Sequence, residues 1–164
     1  MADRYDSLNH NSLMASIGSM ARRWNEDLYV SPPRSLDDFF DQAGSGGLVV
    51  ASELGAAIRQ VTLLGQAVRT TSYLEPEPLA DLVLDAAANK LEGPSPKSAS
   101  EGLEEITAIN TEAYERLKDL RMTDWQNEAR AGSKSISVTN LARGISRVNA
   151  ERLARAARCL ASLT

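Results

Sequence analysis

The stretch SELGAAIRQVTLLGQAVRT, residues 52–70, carries the clearest structural signal in the chain. Its large apolar residues recur at intervals of three and four, as they do along the buried face of an α-helix. They are Leu54, Ile58, Val61, Leu64 and Val68. Polar residues such as Arg59 and Gln66 fall mostly on the opposite side. The stretch therefore predicts a long amphipathic helix.

Outward from this helix, further apolar stripes are separated by segments rich in proline and glycine. A stripe from Leu13 to Leu28 predicts a first helix, and a short helix follows from Ser35. A fourth helix, with Leu79 and Leu82 on its apolar side, ends near Lys90. Proline and glycine interrupt regular structure because they remove an N–H donor or loosen the backbone. The breaks are residues 31–33, 44–47, 75–78 and 92–98.

The C-terminal part of the chain predicts one long helix and a final helical segment. The long helix lies near residues 100–129 and would measure about 45 Å at ~1.5 Å per residue. Its inward residues are Leu103, Ile106, Ile109, Ala113, Leu117 and Leu120. Residues 131–135 break the pattern. The last segment begins with Leu141, Ile145 and Val148, and Asn149 is a candidate N-cap for its second part.

The amino-acid composition also favours a helical fold. Leu and Ala together supply 43 of the 164 residues, against 14 for Val and Ile. Leu and Ala lose little side-chain freedom in a helix, whereas β-branched residues lose more. The sequence therefore predicts an all-α protein, a bundle-like array of five to seven helices.

Several classes of functional site are disfavoured by the residue types present. Cys159 and His10 are the only cysteine and histidine, which excludes a disulfide framework, a cysteine-based zinc site and two-histidine metal motifs. Glycines 44–47 lack the lysine and flanking pattern of a phosphate-binding loop. Two acidic clusters alternate with the apolar stripes and are interpreted as solvated faces. They are Asp37, Asp38 and Asp41, and Glu101, Glu104 and Glu105. We therefore expect no enzyme activity, no metal and no cofactor.

The distribution of charge is the most informative functional feature. The net charge of −4 combines −10 over residues 1–129 with +6 over residues 130–164. We interpret residues 1–130 as an acidic helical body and residues 131–164 as a basic helical segment that packs on the body or on a neighbouring subunit. The candidate interaction residues are Arg143, Arg147, Arg152, Arg155 and Arg158. On a helical wheel, Arg152 and Arg155 lie nearest the apolar side, where they could pair with the acidic body.

Two functions follow from this pattern. The preferred hypothesis is protein–protein interaction, as a self-assembling structural or adaptor subunit, supported by the opposite charges within one chain and by Tyr5, Tyr29 and Trp125 near helix ends. The alternative is nucleic-acid binding through the same arginines. Residues 140–148 resemble part of the helix-turn-helix of bacterial repressors. Two residues that normally separate the arginine from the glycine are missing, so the chain is not assigned to that family.

The sequence also suggests a location. The amino terminus is acidic and polar, with no basic region ahead of an apolar stretch, and the longest apolar runs are far shorter than a membrane span. We expect a soluble, cytoplasmic protein with no membrane contact.

Overall fold

A computed structural model describes residues 8–40, 46–72, 81–131 and 133–163. Six α-helices occupy most of these ranges: α1 (His10–Asp27), α2 (Leu36–Phe40), α3 (Gly46–Ser72), α4 (Leu82–Ala87), α5 (Ala99–Lys118) and α6 (Val138–Leu163). Between α5 and α6 lie a 3₁₀ helix (Met122–Gln126) and an antiparallel hairpin of β1 (Glu128–Ala131) and β2 (Lys134–Ser137).

The four long helices form a bundle. α1 packs against α5, α5 against α3, α3 against α6, and α6 back against α1. The short helix α4 lies against α3 and α6, and α2 lies against α3 and α5. The prediction of an all-α, bundle-like array is confirmed.

The apolar stripes are the faces that meet in this bundle. Leu13, Ile17, Met20 and Trp24 of α1 are buried, as are Leu54, Val61, Leu64 and Val68 of α3. Burying such side chains is the main favourable contribution to folding, at about 25 cal/mol per Å² of apolar surface. The stripe of α1 follows helical periodicity because only one side of that helix faces its neighbours.

The predicted helix near residues 100–129 is correct only at its start. It begins at Ala99, where the Ser98 side chain accepts a hydrogen bond from the Glu101 N–H, and it ends at Lys118. Arg121 is extended, and its N–H donates to the Asp124 carboxylate, which starts the 3₁₀ helix. Such local side-chain bonds compete with helix continuation. The longest helices are instead α3 and α6.

Two assignments within the helices also change. Leu82 was expected on the buried stripe of the fourth helix, but it is 40% exposed at the first residue of α4. Asn149 was expected to cap a second part of the last helix. The helix α6 is continuous through it, and its amide is buried among polar partners on α1 and α5. The amide forms hydrogen bonds with those side chains and does not cap a helix terminus.

Close packing of the segment between α4 and α5 requires glycine. A Cβ atom on Gly55 of α3 would lie 2.4 Å from the Pro94 carbonyl oxygen, and one on Gly93 would lie 2.5 Å from the Gly55 carbonyl oxygen. Real Cβ atoms do not approach so closely, so the chain can cross α3 here only because both residues lack side chains. The predicted break at residues 92–98 is thus a loop fitted against α3.

The helix α3 is also the most apolar in the described structure. By length and composition, Gly47–Ser72 could cross a bilayer, and 56% of its most apolar window is buried inside the bundle. A central core helix has the same composition, because it is surrounded by other helices.

Candidate functional site

Arg152 occupies the interior, with its side chain only 3% exposed. Its guanidinium donates to Glu53 Oε2 at 3.1 Å, to Asn89 Oδ1 at 2.7 Å and to the Leu91 carbonyl at 2.9 Å. Glu92 Oε1 lies 3.5 Å away at the rim. Because these partners come from α3 and the segment after α4, the arginine ties both to α6. A charge is tolerated in such a position only when it is paired and hydrogen-bonded.

Asn89 and Gln60 complete this polar cluster. Asn89 ends the α4 segment with a φ of 59°, the left-handed conformation that asparagine adopts more readily than most residues. Gln60 of α3 donates to Asn89 Oδ1 at 2.8 Å and accepts from the Leu91 N–H at 2.9 Å. The cluster fixes the path of the chain from α4 into the loop that crosses Gly55.

Arg155 and Arg158 follow on the same helix with increasing exposure. Arg155 is 43% exposed, and its Nη1 lies 4.0 Å from Glu53 Oε2. Arg158 is exposed and has no polar partner among the described residues. Arg152 and Arg155 thus share the Glu53 carboxylate, and Arg152 also lies within ion-pair distance of Glu92.

Arg143 and Arg147 are directed to main-chain carbonyls. Arg143 donates to the Leu8 carbonyl at 3.1 Å and to Asn140 Oδ1 at 3.0 Å, and Arg147 donates to the Ala87 carbonyl. With Leu84 and Ile136 they line an open cleft of about 470 Å³ between α4, β2 and α6. These contacts join α6 to the end of α4 and to Leu8, two residues before α1.

Gly144, between these two arginines, serves helix packing. It lies within α6, and a Cβ atom there would come 2.8 Å from the Ala87 Cα atom. The missing side chain allows α4 to approach α6 closely enough for Arg147 to reach the Ala87 carbonyl. The glycine of the repressor-like stretch is therefore not at a turn.

The structure thus separates the five candidate arginines into two groups. Four of them, Arg143, Arg147, Arg152 and Arg155, contact other parts of the same chain. Arg158 stands apart on the exposed side of α6. The basic character of the sequence in this region does not produce one continuous row of outward-facing cations.

Sequence reasoning missed the hairpin that precedes α6. Ile136 of β2 is buried and pairs with Ala129 of β1, whereas Glu128 and Arg130 are exposed on the other face. The signal was the alternation around Ile136, following a Gly-Ser pair at residues 132–133 that suits a hairpin connection. It was overlooked because Glu128, Ala129 and Arg130 favour a helix in isolation.

The outer edge of β1 has no partner strand among the residues that the structure describes. The Val138 N–H donates to the Asn127 carbonyl at 3.0 Å, which extends the β1–β2 register by one hydrogen-bonded pair. Hydrogen-bonded pairs alternate along an antiparallel ladder, so Asn127, Ala129 and Ala131 direct their main-chain polar groups towards β2. Those of Glu128 and Arg130 point away from it. In the described part of the chain they bond to no other group.

The 3₁₀ helix anchors the base of the hairpin. Trp125, expected to be an exposed interaction residue, is only 2% exposed and packs edge-on against His10, with ring centroids 4.5 Å apart. Thr139 of α6 donates to the Trp125 carbonyl at 3.0 Å. Among the three aromatic candidates, Tyr29 is 66% exposed and Tyr5 lies outside the described residues.

Asp124 caps this 3₁₀ helix. Its carboxylate accepts from the Arg121 N–H at 3.0 Å and from the Arg121 guanidinium at 3.3 and 3.4 Å. These hydrogen bonds to the Arg121 side chain and backbone hold the pKa of Asp124 below its ordinary value.

We expect the Asp124 cap to weaken in acid. Because the carboxyl pKa is lowered in the folded state, the ionised cap stabilises the protein above the unfolded-state pKa, and this contribution is lost as pH falls through the folded-state pKa. Unfolding measured against pH should show the gap between wild type and Asp124→Asn closing in acid. Asp119→Asn, one turn earlier, is the control. A gap that stays constant across the acid range would contradict the role assigned to this carboxylate.

The acidic cluster and the glycine-rich break considered in the sequence analysis make contacts that belong to the fold. Asp37, from one acidic cluster, accepts from the Ala99 N–H at 2.6 Å at the start of α5. Residues 44 and 45 of the glycine-rich break lie outside the described ranges, and Gly47 packs against the Phe39 carbonyl. Within those ranges, no three His, Cys, Asp or Glu side chains converge in a way that could hold a metal ion.

Comparison of the chain with protein-family models, with curated proteins and with solved structures gives no match.

Proposed function

We propose that this chain is a non-enzymatic protein–protein interaction subunit that assembles with itself. The observation that carries the proposal is the open edge of β1, where the main-chain groups of Glu128 and Arg130 face outward without partners in the described structure. Such an edge is a template for another polypeptide strand, because main-chain groups supply the affinity and flanking side chains the specificity. The partner class is therefore an extended segment of protein.

The use of the C-terminal arginines supports a protein partner over a nucleic acid. Arg143, Arg147 and Arg152 donate to carbonyl or carboxylate groups of the same chain. Phosphate contacts by these side chains would require them to leave those bonds. The net charge of −4 also opposes approach to a polyanion.

Nucleic-acid binding is the second candidate, and one observation favours it. Arg130 and Lys134 are exposed on the hairpin, and Arg158 is exposed on α6. Two-stranded ribbons are among the elements that enter the grooves of DNA. In this case the logarithm of affinity would fall linearly with the logarithm of salt concentration, and Arg130→Ala would flatten that slope by about one unit.

A size measurement separates the two functions. We expect sedimentation to show reversible association that grows with protein concentration and weakens as salt rises, because screening shortens the Debye length from about 10 Å at ~0.1 M to about 3 Å at ~1 M salt. Added duplex DNA or RNA should leave the distribution unchanged. A monomer that binds nucleic acid with a steep salt dependence would overturn the proposed function and favour the second candidate.

A further inference from the structure

We propose that the partner of the open β1 edge is the β1 strand of a second copy, paired antiparallel about a twofold axis at Ala129. This inference rests on the proposed function and names the partner for it. The two hairpins then form one continuous sheet, in which Glu128 of each copy lies opposite Arg130 of the other. The backbone pattern of β1 and its charges together select this arrangement.

The backbone pattern restricts the possible registers. Only Glu128 and Arg130 of β1 direct their N–H and C=O groups outward, since the alternate residues are bonded to β2. In an antiparallel pair, a hydrogen-bonded position joins two residues that both face the partner strand. A twofold axis between two residues would place an outward-facing residue opposite an inward-facing one. The axis must therefore pass through a residue.

Three of these registers, with the axis at Glu128, Ala129 or Arg130, place an outward-facing residue of β1 opposite another, and the charges choose among them. An axis at Glu128 places two glutamates directly opposite each other, and an axis at Arg130 places two arginines opposite each other. Like charges at such positions are destabilising, whereas opposite charges stabilise. An axis at Ala129 gives two Glu128–Arg130 pairs. It is the one register that satisfies the outward main-chain groups and also the charges.

The side chains of β1 suit this pairing. Glu128 and Arg130 are both exposed and lie on the same face of the strand, so the cross-strand pairs form on the solvent side. Ala129 points to the other face and would meet its own copy at a non-hydrogen-bonded position, where Cα atoms approach to about 4.5 Å. A methyl side chain fits at that separation. Charges on an edge strand usually oppose pairing, but opposite charges two residues apart favour it in this register.

The expected complex is a weak, reversible dimer. A strand of four residues is about 13 Å long at ~3.3 Å per residue, so the paired edge alone is smaller than the interface of a stable dimer. Its formation should be followed by analytical ultracentrifugation over a wide concentration range.

Charge reversal tests the register. Glu128→Arg and Arg130→Glu each replace two attractive cross-strand pairs by two repulsive ones, and each should raise the dimer dissociation constant about tenfold. The double variant, which exchanges the two charges, should restore it. An equal mixture of the two single variants should form a heterodimer, because every Arg then meets a Glu. Lys134→Glu on β2 is the matched control and should leave dimerisation unchanged.

Cross-linking tests the position of the axis. Two cysteines at a non-hydrogen-bonded position lie within the ~4.4–6.8 Å Cα separation that a disulfide spans. In a Cys159→Ala background, Ala129→Cys should form a covalent dimer on mild oxidation, and Lys134→Cys should form much less.

The outcomes of these experiments distinguish the proposed β1 pairing from the proposed function on which it rests. Association that ignores both charge reversals overturns the β1 register while leaving self-assembly through another surface intact. A chain that stays monomeric overturns both the pairing and the self-assembly proposed above, and nucleic-acid binding by that monomer supports the second candidate function. Heterodimer formation by the mixed variants supports both, and it does so even if each single variant is somewhat less stable.

Discussion

Replacing Arg152 by alanine should lower the free energy of unfolding by about 3–5 kcal/mol, the usual cost of breaking a buried ion pair by removing one partner. The change leaves the Glu53 carboxylate, which is only 13% exposed, without its closest cation. It also leaves Asn89 Oδ1 and the Leu91 carbonyl without the guanidinium donors that they accept from. Denaturant unfolding followed by circular dichroism measures the loss.

Arg155→Ala is the matched control for this prediction. Arg155 belongs to the same helix and approaches the same Glu53 oxygen, but at 4.0 Å and with its side chain 43% exposed. An exposed pair contributes little because water screens it, so its removal should cost less than about 1 kcal/mol. Equal losses for the two variants would contradict the assignment of the buried ion pair.

A second substitution tests why Arg152→Ala is costly. If the penalty comes from the stranded carboxylate, adding Glu53→Gln should recover part of it, since an uncharged amide is easier to bury than an unpaired charge. Adding Glu92→Gln should recover little, because Glu92 is 72% exposed and remains hydrated. The double-mutant coupling between residues 53 and 152 should therefore exceed that between 92 and 152.

Local patterns were sufficient to predict the long helices. Each of the stripes in α1, α3 and α5 meets the core on one side, so helical periodicity shows directly in the sequence. The start of α5 could be predicted as well, because a serine cap and an apolar stripe coincide there. The end of α5 could not, since Arg121 and Asp124 stop the helix by a local bond that competes with favourable helix propensity.

The partners of the candidate site residues required the three-dimensional structure. The helical wheel placed Arg152 beside the apolar face, but its carboxylate partner lies 99 residues away along the chain. No spacing rule links two such positions. The hairpin was also hidden, because pairing with the segment around Ile136 and anchoring through Trp125 overcome the helix preference of Glu128 and its neighbours.

The sequence contained one signal of a buried polar network that was not used, namely a polar residue within an apolar stripe. Asn110 lies between Ile106 and Ala113 on the buried face of α5, and Asn149 lies between Ile145 and Leu153 on that of α6. A buried amide in such a position needs partners. In the structure, Asn110 and Asn149 are hydrogen-bonded to each other, and Trp24 is a further partner of Asn149.

The resulting network is fully satisfied. Asn149 Oδ1 accepts from Trp24 Nε1 and from Asn110 Nδ2, both at 2.9 Å, and Asn149 Nδ2 donates to Asn110 Oδ1 at 2.8 Å. Each amide nitrogen also donates to a carbonyl of its own helix, that of Ile106 or Ile145. The network joins α1, α5 and α6 at one level of the bundle, and sliding one of these helices along another would break its hydrogen bonds.

Asn149→Leu should therefore destabilise the protein by about 2–5 kcal/mol, although leucine has a side chain with the same number of heavy atoms and greater hydrophobicity. The substitution leaves the Trp24 N–H and Asn110 Oδ1 buried without partners, at about 1–3 kcal/mol each. Asn25→Ala is the matched control. Asn25 follows Trp24 and also donates to α5, to Thr107 Oγ1 at 2.9 Å, but this bond is exposed and water replaces it. Its loss should stay within about 0.5 kcal/mol.

Combining Asn149→Leu with Asn110→Leu tests whether the loss of stability comes from buried polar groups that are left without hydrogen-bond partners. Removing both amides leaves only the Trp24 N–H unpaired, so the double variant should lose less stability than the sum of the two single variants. Strict additivity in denaturant unfolding would mean that the two side chains stabilise the fold separately, by packing alone. A double variant nearly as stable as Asn110→Leu would show that Asn149 stabilises the fold almost entirely through its hydrogen bonds with Asn110.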